Sequence, residues 1–435
     1  MKLKLFLVAG ARPNFMKIAP LYAEMKKHPE LFEPILVHTG QHYDENMSKV
    51  FFDDLQLPRP DIYLGVGSGS HAQQTAEIMK RFEPQLEEHQ PQAVIVVGDV
   101  NSTVACALTT VKMRIPSHRL REVWERYDRF LAKRRAEIGN RKSETGDRRP
   151  ETGNLKSGHQ SKERVRSWEA PILAHVEAGE RSFDFSMPEE INRVTTDVLS
   201  DLLFTTSRDS DENLLAEGID PRSIFRVGNI MVDSLQLFWD RAARSTILAK
   251  LNRSRPKQLA EILPGEFALA TLHRAGNVDD PATLTTILSA LIRIAEDLAV
   301  VFPMHPRTRK LLANLDGSFV KRLSESGVLI SDPLGYLDFL HLQTQAKLVL
   351  TDSGGVQVET SYLGIPCLTL RDRTEWQVTL RNGTNRLVRA SEVEIVEAAQ
   401  TVIAQPKPQP ARIPNWDGQT SRRIIEVFSE CFNAT

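Results

Sequence analysis

Three carboxylates, Asp99, Glu177 and Glu189, come directly or soon after short apolar runs in the first half of the chain. Arg12 and Lys17 follow the first of these runs, and His273 and Arg274 follow another in the second half. An open α/β sheet holds its ligands beyond the strand ends, so such residues are brought toward one cleft. There the carboxylates can take and return a proton, and the cations can neutralise a departing phosphate. A Ser353-Gly354-Gly355 turn opens the stretch VQVETSYLG. With that stretch helical, the first N–H groups face an anion at a positive helix terminus, and two glycines let the anion approach closely. Together with Arg12, Lys17, His273 and Arg274, the turn is a candidate diphosphate site. Glu359, six residues past Ser353, is suited to accept hydrogen bonds from ribose hydroxyls. His175 and His305 also stand at strand ends and read as hydrogen-bonded structural histidines. No HExxH, no CxxC and no carboxylates at metal spacing occur, so no metal is expected.

Val-, Ile- and Leu-rich runs alternate with longer amphipathic stretches, the pattern of a parallel sheet covered by helices on both faces. Strands are expected over 3–9, 35–38, 93–98, 172–176 and 202–206, then over 267–272, 300–303, 328–330, 347–351 and 367–370. Two such series make an α/β chain of two doubly wound, Rossmann-like domains with the active site in the cleft between them. The length, 435 residues, also exceeds what one core normally organises. The first domain is expected over 1–207 and the second, nucleotide-binding one over 208–415. A closing helix over 416–435, with Ile424, Ile425, Phe428 and Phe432 on one face, is expected to pack back on the first domain.

One segment interrupts the series. Residues 117–169 form a basic insert between a helix ending near Pro116 and the strand at 172. Within it Leu120, Val123, Trp124, Tyr127 and Leu131 recur at helical spacing. The remainder holds SETGDRRP followed by PETGNLKS, is poor in apolar residues, and is expected to be disordered. Because the insert joins a helix end to a strand start, it lies on the edge away from the ligand, and its loss is expected to be tolerated. Lys plus Arg, 55, nearly cancel Asp plus Glu, 56, so net charge gives no reason to expect nucleic acid or membrane. The first apolar run is about one strand long and lacks a cleavage site, and Cys106, Cys367 and Cys431 are scattered. A cytoplasmic protein is expected.

An ordered series of motifs, GARPNFMKIAPL, TGQH, GDVNST, HVEAG, SMPEEINR, VGNIMVDSL, TLHR, HPRT, GYLDFL, TDSGG and GTNRLV, resembles the non-hydrolysing UDP-N-acetylglucosamine 2-epimerases. These have the glycosyltransferase-B architecture, and the series spans nearly the whole chain apart from the insert. The resemblance implies acid/base roles for Asp99, Glu177 and Glu189 and a catalytic role for His273. It assigns Arg12, Lys17, Arg274, Phe339, Ser353, Gly354, Gly355 and Glu359 to the UDP-sugar. It further implies a homodimer that interconverts UDP-N-acetylglucosamine and UDP-N-acetylmannosamine by eliminating UDP and adding it back, without a cofactor. Some positions depart from the family. Trp376 stands where many members carry an arginine beside the nucleotide, trading a charge-assisted hydrogen bond for an indole that can stack on uracil. Val358 replaces one of two glutamates, Glu180 replaces an apolar residue, and the motif tied to activation by substrate is only partly present, at Gln41 and Asp44.

Overall fold

The computed structural model describes residues 2–40, 55, 57–144, 168–257, 259–312, 315–406, 409–410 and 412–433, with backbone only at 12, 139–144, 306–307 and 433. Among the described residues, thirteen strands form two wholly parallel sheets. The first holds β1 (Leu3–Ala9), β2 (Phe32–His38), β3 (Ile62–Tyr63), β4 (Ala93–Val97), β5 (Ile172–Ala178), β6 (Leu202–Thr205) and β7 (Ile224–Arg226). Their spatial order is β3-β2-β1-β4-β5-β6-β7. The second holds β8 (Phe267–Thr271), β9 (Ala299–Pro303), β10 (Val328–Ser331), β11 (Leu348–Thr351), β12 (Cys367–Leu370) and β13 (Asn385–Val388), ordered β10-β9-β8-β11-β12-β13. This is the glycosyltransferase-B pairing of two Rossmann-like sheets. The strands are apolar almost without interruption because helices bury both faces: β4 is buried at all five positions.

Each sheet reverses its winding once, between β1 and β4 in the first and between β8 and β11 in the second. The crevice at such a reversal is where an open sheet accepts a ligand. The turns after β1, β4, β8 and β11 carry Arg12, Asp99, His273 with Arg274, and Ser353, so most of the expected site residues fall at the two reversals.

Two expectations about organisation are corrected. A boundary at 207/208 would cut through the first sheet: helix Arg208–Ala216 follows β6, and β7 then pairs with β6 in parallel, so the chain leaves this sheet only after Arg226. The strand β7 is three residues long, as β3 is two, and runs that short show no periodicity to read. The disorder expected in the rest of the insert is also cut back, because the helix read from the spacing at 120–131 is present and runs on to Glu144. Residues His118–Glu144 form one helix, α4, counted after α1 (Arg12–Lys26), α2 (His71–His89) and α3 (Asn101–Lys112). Leu120, Val123, Trp124, Tyr127 and Phe130 of α4 are buried, with Phe130 taking the core position expected for Leu131. The Trp124 indole donates to the Ala170 carbonyl (2.8 Å), and the Tyr127 hydroxyl donates to that of Asp201 (2.8 Å). Residues 145–167, with most of the near-duplicated segment, and Gln41 and Asp44 lie outside the described residues.

Three further helices matter below: α5 (Pro188–Leu199), α6 (Arg208–Ala216) and α7 (Ile230–Ala243), the last carrying the chain from the first sheet toward the second. The C-terminal helix Thr420–Asn433 returns to the first sheet, with Ile424, Ile425, Phe428 and Phe432 buried and Phe428 against Phe204 of β6. Asp233 of α7 fixes that return by accepting from the backbone N–H groups of Thr420 and Ser421. Among the described residues no helix is long and apolar enough to cross a membrane.

Candidate active site

The first sheet presents its carboxylates through unusual backbone. Gly98, after β4, has φ +64°, and Glu177, near the end of β5, has φ +69°, a left-handed conformation rare for a residue with a side chain. The register of β5 against β6 shifts between Val176 and Ala178, so Glu177 is the bulged residue. This re-aims its carboxylate toward α1, where Lys17 pairs with Oε2. Glu177 Oε1 is buried and accepts no hydrogen bond among the described residues. Burial raises the Glu177 carboxyl above its usual range, and Asp99 adds to this against the opposing pull of Lys17.

Asp99 is held by Arg193 of α5, whose guanidinium also grips Glu190. Glu190 in turn accepts from the Ser182 and Phe183 backbone N–H groups (3.0 and 2.8 Å), fixing the loop that leads into α5. Glu189, its neighbour in the first turn of α5, is part-exposed and makes no hydrogen bond or ion pair among the described residues. The paired glutamates of the motif are thus split between a structural clamp and an unengaged carboxylate. Beneath them His175 is fully buried, with Nδ1 2.6 Å from Asp197 and Nε2 2.8 Å from the Gly98 carbonyl, the structural role expected of it. His305 is exposed.

In the second sheet the residue that organises the site is Asp352, which the sequence marked only as the start of the turn before Ser353. It accepts from His273 Nδ1 (2.8 Å), from the backbone N–H groups of His273 and Arg274, and from the Asn277 amide. Burial opposes ionisation of Asp352, but His273 and these N–H donors hold its carboxyl below the usual range. The His273 side chain is 49% exposed, so the imidazole edge away from Asp352 is open to the cleft. Arg274 and Arg371 both reach across the cleft to Met187, whose Sδ lies 4.0 and 3.9 Å away.

Ser353 caps the helix Gly354–Leu363 without a side-chain hydrogen bond of its own. What crowds Gly354 is part of the protein: a Cβ there would lie 2.6 Å from Glu375 Oε1 and 2.9 Å from the Trp376 indole nitrogen. The Trp376 ring is 5% exposed and buried in an apolar cluster with Met231, Val232 and Trp416. It abuts the turn but leaves no open ring face, so stacking on uracil is not the role this structure gives it. Glu359 is also interior. It accepts from the Tyr336 hydroxyl (3.0 Å), and burial pushes its carboxyl up to about 7. Phe339, on the helix Tyr336–Gln345, is half-buried against the apolar cluster that holds Leu342, Val349 and Val356. The Arg12 backbone begins α1, and its side chain lies outside the described residues. Glu180 is buried between Thr206 and Ser210, whose hydroxyls donate to it (2.5 and 2.6 Å), and burial raises it to about 8.

The cleft therefore faces Asp99, Glu177 and Glu189 on one side with His273, Arg274 and the Ser353 turn on the other. Arg193, Asp352, Arg371 and Glu375 complete it. The only sequence signal for these four was proximity to the motifs, as with Arg193 four residues past Glu189.

Residues 23–118 and 170–429 match the family model described as UDP-N-acetylglucosamine 2-epimerase, and the unmatched stretch between them is the insert. A UDP-N-acetylglucosamine 2-epimerase homolog of Methanococcus maripaludis is 38% identical over 428 residues, covering 98% of this chain and 99% of the relative. The UDP-2,3-diacetamido-2,3-dideoxy-D-glucuronate 2-epimerase of Pseudomonas aeruginosa is 36% identical over 98% of this chain and 100% of its own length. Among solved structures, the UDP-GlcNAc 2-epimerase of Methanocaldococcus jannaschii, in complex with UDP-GlcNAc and UDP, superimposes with a TM-score of 0.76 at 34% identity, covering 98% of this chain and 99% of that one. With a family model matched over most of its length and relatives this similar, the chain belongs to the UDP-N-acetylglucosamine 2-epimerase family.

Proposed function

We propose that this protein interconverts UDP-N-acetylglucosamine and UDP-N-acetylmannosamine in the cleft between its two sheets. The observation that carries the proposal is the buried Glu177 carboxylate, aimed by a left-handed backbone and set against Lys17 and Asp99, opposite the His273 and Arg274 turn. The C2 proton of the sugar is weakly acidic. A carboxylate can remove it only while the anomeric C–O bond breaks and the departing diphosphate is neutralised. In the proposed reaction one carboxylate takes the C2 proton as the C1–O bond electrons leave with UDP, giving a 2-acetamidoglucal. A proton returned to the other face of C2, with re-formation of the C1–O bond to UDP, completes the epimerisation. Two faces require more than one acid/base group, which the set Asp99, Glu177 and Glu189 supplies. His273, fixed through Asp352, and Arg274 act at the diphosphate end with Lys17, Arg12 and the Ser353–Gly355 turn. Phe339 and Glu359 serve the nucleoside end. The same proposal makes the enzyme a homodimer, as its family resemblance supports, and cytoplasmic, as its scattered cysteines support.

The test is incubation with UDP-N-acetylglucosamine in deuterated water, with no acceptor, followed by NMR. The expected result is UDP-N-acetylmannosamine with deuterium at C2 and UDP still attached. Free N-acetylmannosamine with stoichiometric UDP would instead identify a hydrolysing epimerase, and unchanged substrate would point to a transferase or to binding alone. Because the Pseudomonas relative acts on a diacetamido uronic acid, the same time course with that UDP-sugar assigns the sugar ring this cleft prefers.

A further inference from the structure

Around Gly354 the protein has built an anion site and filled it with an anion of its own. The segment after β12 folds back over the first turn of the helix Gly354–Leu363, placing Glu375 Oε1 2.6 Å from the Cβ position of residue 354. The other carboxylate oxygen accepts from Arg371 Nη2 (2.8 Å), and Arg274 Nη2 lies 3.9 Å from Oε1. Arg193, from the opposite side of the cleft, adds a third favourable charge. Arg371 is nearly fully buried, and its Nη1 has no hydrogen-bond partner among the described residues. A buried guanidinium with an idle donor is costly unless something else comes to accept from it.

A positive helix terminus, two close arginines and an idle guanidinium donor together suit a phosphate. We propose that Glu375 is a resident counter-ion of the diphosphate site, keeping its arginines assembled while the cleft is empty and competing with the diphosphate when it arrives. On entry of UDP the carboxylate yields Arg274 to phosphate oxygens, and the idle Nη1 of Arg371 donates to them. On departure of UDP the carboxylate takes Arg274 back. Glu375 therefore limits how tightly the free nucleotide is held. That suits a reaction in which UDP must be released from the sugar, kept in place, and then let go as part of the product. This inference rests on assigning the diphosphate to the Ser353–Gly355 turn.

Glu375→Gln keeps the side chain's size and an acceptor for Arg371 while removing the competing charge. Calorimetric titration of the parent and this variant with UDP, and separately with uridine, tests the inference. Glu375→Gln is expected to bind UDP about tenfold tighter, the scale that one screened like-charge repulsion leaves, with uridine affinity unchanged because uridine has no phosphate. Equal or weaker UDP binding, or an equal gain for uridine, would overturn the role of Glu375. A parent that binds uridine but gains nothing from the added diphosphate of UDP would overturn the assignment of the turn, and the inference with it. Should Glu375→Gln fail to fold, Glu375→Asp decides: its charge is kept but drawn back from Gly354 by one methylene. A gain for UDP above the parent supports the competition, and none overturns it.

Discussion

Lys17, from the second turn of α1, and Glu177, from the bulge of β5, form a buried ion pair across the end of the first sheet. Gly98 is what makes room for it. A Cβ there would lie 2.9 Å from Lys17 Nζ and 3.8 Å from Glu177 Oε2. The pair engages only one Glu177 oxygen, and the other is buried without a donor among the described residues. A carboxylate short of hydrogen bonds is more basic than a fully engaged one, as proton abstraction from carbon requires.

Replacing Glu177 by Gln should therefore remove turnover while sparing binding. General-base contributions are about 10²- to 10⁴-fold, and kcat is expected to fall within that range. UDP affinity should stay within about threefold, because Lys17 and the diphosphate-binding groups across the cleft are retained. Steady-state kinetics with UDP titration separates the two, and near-parental kcat would remove Glu177 from the acid/base set.

Gly98→Ala probes the same pair from the backbone. A left-handed alanine costs about 1–2 kcal/mol. The steric part is cheap in stability, because the crowded atom is the tip of a flexible lysine. It is expensive in function, since Lys17 can give way only by leaving Glu177. The expected variant melts a few degrees lower yet loses far more activity than that shift implies. Equal losses of folded fraction and activity, measured by circular dichroism and initial rate, would argue against this role for Lys17.

Asp352→Asn carries a pH signature. Burial works against the charged carboxyl, but His273, the Arg274 N–H and Asn277 outweigh it, so its folded value lies below the unfolded one. A carboxyl lowered on folding stabilises the fold above its unfolded value, about pH 4, and that gain is lost as pH falls through the folded value. The asparagine variant is thus expected to be less stable than the parent at pH 7, by about 1.5–3 kcal/mol for the lost charge-assisted bonds. The gap should close progressively as the pH falls below the unfolded value, about pH 4. A gap independent of pH would mean that packing, not charge, is what the substitution disturbs.

The sequence allowed the strand ends to be read because a parallel sheet buried on both faces writes its strands as uninterrupted apolar runs. It could not show Glu177 in a left-handed bulge, since nothing in HVEAG distinguishes that glutamate from one in regular strand. Nor could it separate Glu189 from Glu190: adjacent residues on a helix face differently, and only Arg193, one turn later, decides which becomes the clamp. Trp376 was legible as a departure but not in its consequence. An arginine-to-indole exchange looks like a change in nucleotide contact until the ring is seen buried in one apolar cluster with Met231, Val232 and Trp416.

The insert gives the last prediction, reversing the one its position invited. A place on the edge away from the ligand argued that the insert could be removed, yet the first half of α4 belongs to the core of the first sheet. Phe130 stacks on Phe225 of β7 with centroids 5.9 Å apart, and the Arg134 guanidinium lies 4.0 Å from the Phe225 ring centroid. The Arg134 guanidinium also donates to the Ile224 carbonyl (3.1 Å), and Arg126 donates to that of Phe432 (2.6 Å) in the C-terminal helix. The helix thus fastens the short edge strand β7 and the returning C-terminus to the sheet. Trp124→Ala would open a cavity and orphan the Ala170 carbonyl, at about 3–5 kcal/mol for a buried aromatic. Because Trp124, Tyr127 and Phe130 lie away from the turns that bear Asp99 and Glu177, the folded fraction should keep a parental KM. Deleting 119–168 is expected to leave little soluble folded protein. A deletion variant with parental melting temperature and activity would show that α4 contributes nothing to the fold despite its burial.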